Sequence, residues 1–165
     1  MILSRALRLP AALSAFALVP LSLHAQASLQ CQVLPKTLAA MRHCYRPLLV
    51  FSPRGDEAAL RAQVADLDSD ADDMMDRFVL LTPILASRQG YQPPLDAPHV
   101  LLGEAESARI RRLFHVPDND FLVLLLNEDG EVSLRSREAV SSDRLNALID
   151  AMPRRKVERQ RKDAY

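Results

Sequence analysis

Pro47-Leu48-Leu49-Val50-Phe51, then the break Ser52-Pro53-Arg54-Gly55, then Phe78-Val79-Leu80-Leu81-Thr82: these two apolar runs and what lies between them decide how the chain folds. Each run is short, continuous and apolar, the pattern of a strand buried on both faces. Between them Leu60, Val64, Leu67, Ala71 and Met74 recur at spacings of three and four. That spacing predicts one face of a helix beginning near Asp56, with Asp56 and Glu57 in its first turn, where the helix dipole favours acids. A strand, a helix and a strand within about 35 residues make a right-handed βαβ unit with parallel strands.

Working towards the C-terminus, Ala86 to His99 is rich in turn residues and includes Gly90, Pro93, Pro94 and Pro98. It is near the upper length for a structureless loop in a compact domain, either a functional rim or a surface connection. Glu104 to Phe114 reads as a short helix, ended by Val116-Pro117-Asp118-Asn119-Asp120. Phe121 to Leu126 is a strand, Asn127-Glu128-Asp129-Gly130 a hairpin turn, and Val132 to Ser136 an alternating strand with one wetter face. Ser142 is the expected cap of a last helix with the stripe Leu145, Leu148, Ile149 and Met152, which Pro153 stops or bends. The order βαβ, helix, β-hairpin, helix is that of an α/β, thioredoxin-like domain, with a central mixed sheet of about four strands flanked by helices.

Working towards the N-terminus, residues 28–45 form a lead-in that holds both cysteines, and residues 1–27 read as a cleavable signal peptide. Arg5 and Arg8 are the basic start, Leu9 to Leu23 the apolar run, and Ala25-Gln26-Ala27 the small-x-small cleavage site, so the exported chain would begin at Ser28. Pro10 and Pro20 interrupt the run and it is short for a membrane span, so no transmembrane anchor is expected after cleavage. The expected destination is the periplasm or the exterior. The 138 residues left suit one domain, laid out as the lead-in 28–45, the fold 46–153 and a basic tail 154–165. The whole chain has 21 basic and 21 acidic side chains, and this balance argues against a general nucleic-acid binder.

Reactive chemistry is sparse. In redox-active thioredoxin-like proteins a nucleophilic Cys follows the first core strand, where a helix start lowers its pKa. Here that position reads Ser52-Pro53-Arg54-Gly55-Asp56, and Ser52 has no base near it in sequence. Cys31 and Cys44 lie before the first strand, 13 positions apart. Export favours a structural disulfide, worth about 3 kcal/mol in the chain-entropy model; two free thiols and a redox pair remain as alternatives. No catalytic set, cofactor-binding motif or metal site is identified. His43 beside Cys44, and the isolated His99 and His115, lack zinc spacing. Asp66, Asp68, Asp70, Asp72 and Asp73 lack the Gly and final Glu of a calcium loop and read as a solvated helix end. The basic run within 154–162 reads as a frayed, solvated terminus, with contact to an anionic surface as its functional alternative.

Three stretches resemble a known family. Arg46-Pro47-Leu48-Leu49-Val50-Phe51-Ser52-Pro53 is similar to its opening strand, Asp129-Gly130-x-Val132-x-Leu134-Arg135-Ser136-x-Glu138 to its hairpin, and Leu148-Ile149-Asp150-x-Met152-Pro153-x-Arg155 to its closing helix. The family is the P-DUDES domain (domain of unknown function 4174), a peroxiredoxin-like domain of small exported bacterial proteins and of sushi-repeat extracellular proteins. The resemblance covers about residues 46–158 and implies a thioredoxin-like fold without a settled activity. It also marks Arg46, Asp129, Arg135, Asp150 and Arg155 as family-pattern polar residues of unknown role. Two classes of function are left open: a non-enzymatic binding or structural module, and a thiol-dependent oxidoreductase using Cys31 and Cys44.

Overall fold

A computed structural model describes residues 31 and 33–162; the expected signal peptide lies outside them. Four strands form one mixed sheet: β1 (Arg46–Arg54), β2 (Val79–Ser87), β3 (Leu122–Leu126) and β4 (Val132–Ser136), in the order β2-β1-β3-β4. β1 runs parallel to β2, with Leu48 opposite Leu81, and antiparallel to β3, with Leu48 opposite Leu125. β3 and β4 are the expected antiparallel hairpin. This is the thioredoxin-like arrangement that the order of elements predicts.

The strands alternate between two buried faces, which is why they read as continuous apolar runs. Leu48 and Val50 face a core shared with Leu60, Leu67 and Met74 and with Leu145 and Ile149. Leu49 and Phe51 face a second core with Ile84, Leu124, Ile110, Leu102 and Met41. The first core is covered by helices α1 (Ala58–Ser69), α2 (Ala71–Asp76) and α4 (Ser142–Asp150). The second is covered by α3 (Glu104–Phe114) and by the lead-in, whose single 3-10 turn (Ala39–Met41) buries Met41 completely. The sequence limits of α3 are reproduced; it ends at His115 in the left-handed conformation, φ 54°.

Several local expectations are corrected. The first helix begins at Ala58, so Glu57 stands at its N-cap position without a side-chain capping bond, and Asp56 precedes it, pairing instead with Arg54 at 2.9 Å. The stripe from Leu60 to Met74 belongs to two helices, broken at Asp70. β2 continues through Pro83 to Ser87. A proline is accepted there because its missing N–H faces the open side of an edge strand. The cap of α4 is Ser141, whose hydroxyl accepts from the Arg144 N–H, while Ser142 is buried and bonds Asp70. Pro153 opens a further helix, α5 (Pro153–Lys162), where a frayed tail was expected. Its fixed φ suits the first helical turn, where no N–H partner is needed.

The acidic run is not a free solvated end. Asp68 accepts the N–H groups of Leu95, Asp96 and Ala97 at 2.9–3.0 Å and so pins the long loop. Burial works to raise its pKa, but those N–H groups and nearby His99 hold it below the ordinary carboxylate value. Asp66 accepts from the Ser142 N–H, and Asp73 from Arg77 and Asn146. The long loop is further tied down by the pairing of Leu81 with His99. Among the described residues no helix is long and apolar enough to cross a membrane.

Candidate functional site

β1 has two poles about 20 Å apart, given six steps of about 3.3 Å between Arg46 and Ser52. At the carboxyl pole the break expected after Phe51 does not occur: β1 runs on through Ser52 and Pro53 to Arg54, so the position after the strand and before α1, where a thioredoxin-type Cys would stand, is Gly55-Asp56-Glu57. Ser52 is the last fully buried residue of β1. Its hydroxyl donates to the Arg54 carbonyl at 2.8 Å, and its own carbonyl accepts from Arg111 Nη2 at 2.6 Å. Arg111 also donates to the carbonyls of Ile84 and Pro117, at 2.9 and 2.7 Å, and stacks over the Phe51 ring at 5.7 Å. Burial pushes its pKa down, against the pull of Asp118 and Asp120. A buried guanidinium held by three carbonyls is a brace joining the ends of β1, β2 and α3.

Beside this brace lies an open cleft of about 980 Å³ between the end of β2 and the outer side of α3. Ser87, Arg88, Ser107, Arg112 and His115 are among its polar walls. Open α/β sheets place ligands in the crevice beyond the carboxyl ends of their strands, and this cleft occupies that position. The turn between β1 and α1 is closed over on its other side. A Cβ on Gly55 would lie 2.4 Å from the Tyr91 backbone, and one on Gly90, φ 71°, would lie 2.7 Å from Asp56 Cβ.

The amino pole holds the charges. Arg46 is fully buried at the start of β1. It donates to Glu128, to Glu158 at 3.0 Å and to the Arg77 carbonyl at 2.7 Å. Arg155 of α5 is also buried and bonds Asp76 and Asp150. Arg77 completes the set with a two-pronged contact to Asp150, at 3.1 and 2.9 Å. The Arg77 contacts hold the Asp150 carboxyl below its usual value against the opposing effect of burial, and Arg155 adds to the pull.

Of the family-pattern residues, the structure thus gathers Arg46, Asp150 and Arg155 into one network. Asp129 sits at its exposed rim, pairing with His43 at 3.1 Å and Arg154 at 3.3 Å. Arg135 lies apart, exposed on β4 beside a shallow pocket with His115 and Asp120. Glu128, Glu158, Asp76 and Arg77 are members that sequence reading misses. Of these, Glu128 reads in the sequence only as part of the hairpin turn.

Cys31 and Cys44 form a disulfide at this same pole, with Cα atoms 5.6 Å apart. The following turn is held by His43, φ 64°, whose N–H donates to the Glu128 carbonyl at 2.7 Å. Arg42 donates to the Asp129 carbonyl at 3.0 and 2.7 Å. The lead-in is therefore stapled to itself by the disulfide and to the hairpin turn by the His43 N–H and the Arg42 guanidinium, which donate to turn carbonyls. His99 bonds the Ala97 carbonyl at 3.1 Å.

Comparison with known proteins places this geometry. The family model of a domain of unknown function, DUF4174, matches residues 37–158. No curated protein matches the chain. Among solved structures, thioredoxin peroxidase I of Plasmodium yoelii is similar at 19% identity with a TM-score of 0.54, over 73% of this chain and 79% of that one. The reduced 2-Cys peroxiredoxin of Plasmodium vivax is similar at 18% identity, also with a TM-score of 0.54, over 73% of this chain and 84% of that one. At such identities the likeness is one of fold.

Proposed function

We propose, of a chain that belongs to the DUF4174 family, that it is an exported thioredoxin-fold module that binds a partner or ligand and does not run a thiol cycle. The observation that carries this reading is the occupancy of the redox position. Gly55-Asp56-Glu57, between the end of β1 and the start of α1, holds no Cys, and Ser52, just inside the strand end, is buried with its hydroxyl donating to the Arg54 carbonyl and its carbonyl accepting from Arg111. A nucleophilic hydroxyl is activated by a base that takes its proton, whereas this one donates to a backbone carbonyl. The disulfide lies at the opposite pole, in the lead-in, where its effect is to close a loop around Met41. The disulfide and the basic, apolar, small-x-small order of residues 1–27 both support export. The open cleft beside Arg111 is the binding surface that the fold would offer.

The experiment is intact-mass and N-terminal analysis of the exported protein with and without reduction and alkylation, alongside insulin-reduction and peroxide-turnover assays. The expected result is a chain starting at Ser28 or within a few residues, two alkylatable thiols only after reduction, and no turnover above background. Enzyme-like turnover that disappears in the Cys31→Ser, Cys44→Ser protein would replace the binding reading with a thiol-dependent oxidoreductase using Cys31 and Cys44. A full-length cytoplasmic product would remove export.

A further inference from the structure

Helix α5 separates its charges by face. Residues 153–162 contain six basic side chains and one acid, whereas residues 28–152 contain 13 basic and 19 acidic ones. The one acid, Glu158, is turned inward, 3.0 Å from the buried Arg46 and 3.7 Å from the buried Arg155. The acids at the foot of the helix are also engaged: Asp76 and Asp150 by Arg155, Asp150 again by Arg77, and Asp129 by Arg154 and His43. Lys156, Arg159 and Arg161 are exposed, and no ion pair within 4 Å ties them down among the described residues. Val157, 46% exposed, lies between Arg154 and Arg161 on the outer side of the helix. The buried network thus consumes the helix's only negative charge and leaves exposed cations on both flanks of its outer side, on a molecule otherwise acidic.

We infer that the outer face of α5 is a docking surface for an anionic phospholipid bilayer. Charge complementarity selects an anionic partner, and the exposed Val157 among the cations selects a bilayer. A headgroup plane takes in an apolar side chain flanked by basic ones, whereas a solvated polyanion gains nothing from it. Each Lys or Arg near an anionic leaflet strengthens binding about fivefold, so Lys156, Arg159 and Arg161 together supply about a hundredfold. Such binding is reversible and screened by salt, since the contact is at the surface. The inference is independent of the carboxyl-pole cleft and of the thiol chemistry.

The test is co-sedimentation of the protein beginning at Ser28, which lacks the apolar leader, with vesicles of phosphatidylcholine alone or with about a third phosphatidylglycerol. The expected result is partitioning about a hundredfold stronger to the anionic vesicles at low salt, largely lost at about 0.5 M salt. The triple variant Lys156→Glu, Arg159→Glu, Arg161→Glu should bind both vesicles equally weakly while keeping the wild-type melting temperature. A charge-matched control, Arg61→Glu, Arg137→Glu, Arg144→Glu, alters exposed positions elsewhere and should retain most of the binding. Equal loss in the two variants, no preference for anionic vesicles, or binding to soluble heparin without binding to vesicles would each overturn the inference. Melting data also separate a folding failure from a binding failure: if the α5 variant is unfolded, the single changes Lys156→Gln and Arg161→Gln must each weaken vesicle binding about fivefold, and no effect from either overturns it as well.

Discussion

The two ends of β1 are stabilised by different means. At the carboxyl pole one arginine, Arg111, is satisfied almost wholly by backbone carbonyls and touches no buried acid. At the amino pole Arg46, Arg77 and Arg155 are satisfied largely by carboxylates contributed by α2, α4, α5 and the hairpin turn. A carbonyl brace fixes strand ends that are already neighbours through the sheet. A carboxylate network joins helices and a turn that lie far apart in the sequence, and it does so with charges that become costly when one partner is removed. The amino pole is therefore where the fold is vulnerable, and the carboxyl pole is where its surface is free to vary.

The largest expected effect follows from that contrast. Arg46→Ala leaves Glu128 buried with its charge unmatched, and its cost in urea unfolding should be about 3–5 kcal/mol. Arg46→Met combined with Glu128→Leu should recover most of this, because the buried Glu128 charge leaves with its partner and the part-exposed Glu158 keeps Arg155. A cost below about 1 kcal/mol for Arg46→Ala would dissolve the distinction between the poles. Next in size is the staple: Cys31→Ser with Cys44→Ser opens a loop of sequence separation 13 and should lower stability by about 3 kcal/mol. The loss should be unaffected by Ser52→Ala, since the two sites lie at opposite poles and share no partner.

At the carboxyl pole the same comparison predicts a smaller number. Ser52→Ala removes one hydroxyl bond and should cost about 1 kcal/mol by thermal or urea unfolding. A cost above about 3 kcal/mol would mean that this pole is as demanding as the other. The smallest effect is a pH dependence. Asp150 has its folded pKa held below the ordinary value of 3.8, chiefly by Arg77, with burial opposing and Arg155 assisting. A depressed carboxylate adds stability that is fully present above the unfolded value and is lost as pH falls through the folded one. The melting temperature should therefore drop as pH falls below about 4, and Asp150→Asn should flatten that slope while lowering stability at neutral pH. An unchanged slope would remove Asp150 from the network's electrostatics.

Much of the architecture was legible because burial leaves periodic marks. The continuous runs Pro47–Phe51 and Phe78–Thr82 marked strands buried on both faces, except that Phe78 stands outside β2, half-exposed with φ 54°, and α3 was bounded correctly by Glu104 and Phe114. The break at Asp70 was hidden because Ala71 and Met74 continue the helical spacing of α1 while belonging to α2. Helix α5 was hidden for the opposite reason, since a helix so rich in charge has no apolar stripe to betray it. The network was least legible. Arg46 bonds residues 82 and 112 positions away, and Arg155 bonds one 79 positions away. Polar pairs at such separations have no period. Family resemblance picked out Arg46, Asp150 and Arg155 individually, but their partners were visible only in three dimensions.

Gly55 has an implication for what mutation can reach from this sequence. Ser52-Pro53-Arg54-Gly55 has the length of a C-x-x-C dithiol, so two substitutions would spell one. The first, at Ser52, is geometrically modest. The second is barred, because any side chain at position 55 places its Cβ 2.4 Å from the Tyr91 backbone. A sulfur at position 55 would require the loop at 88–91 to move first. With Tyr91 packed against Gly55, a dithiol at this spacing is out of reach of side-chain substitution alone.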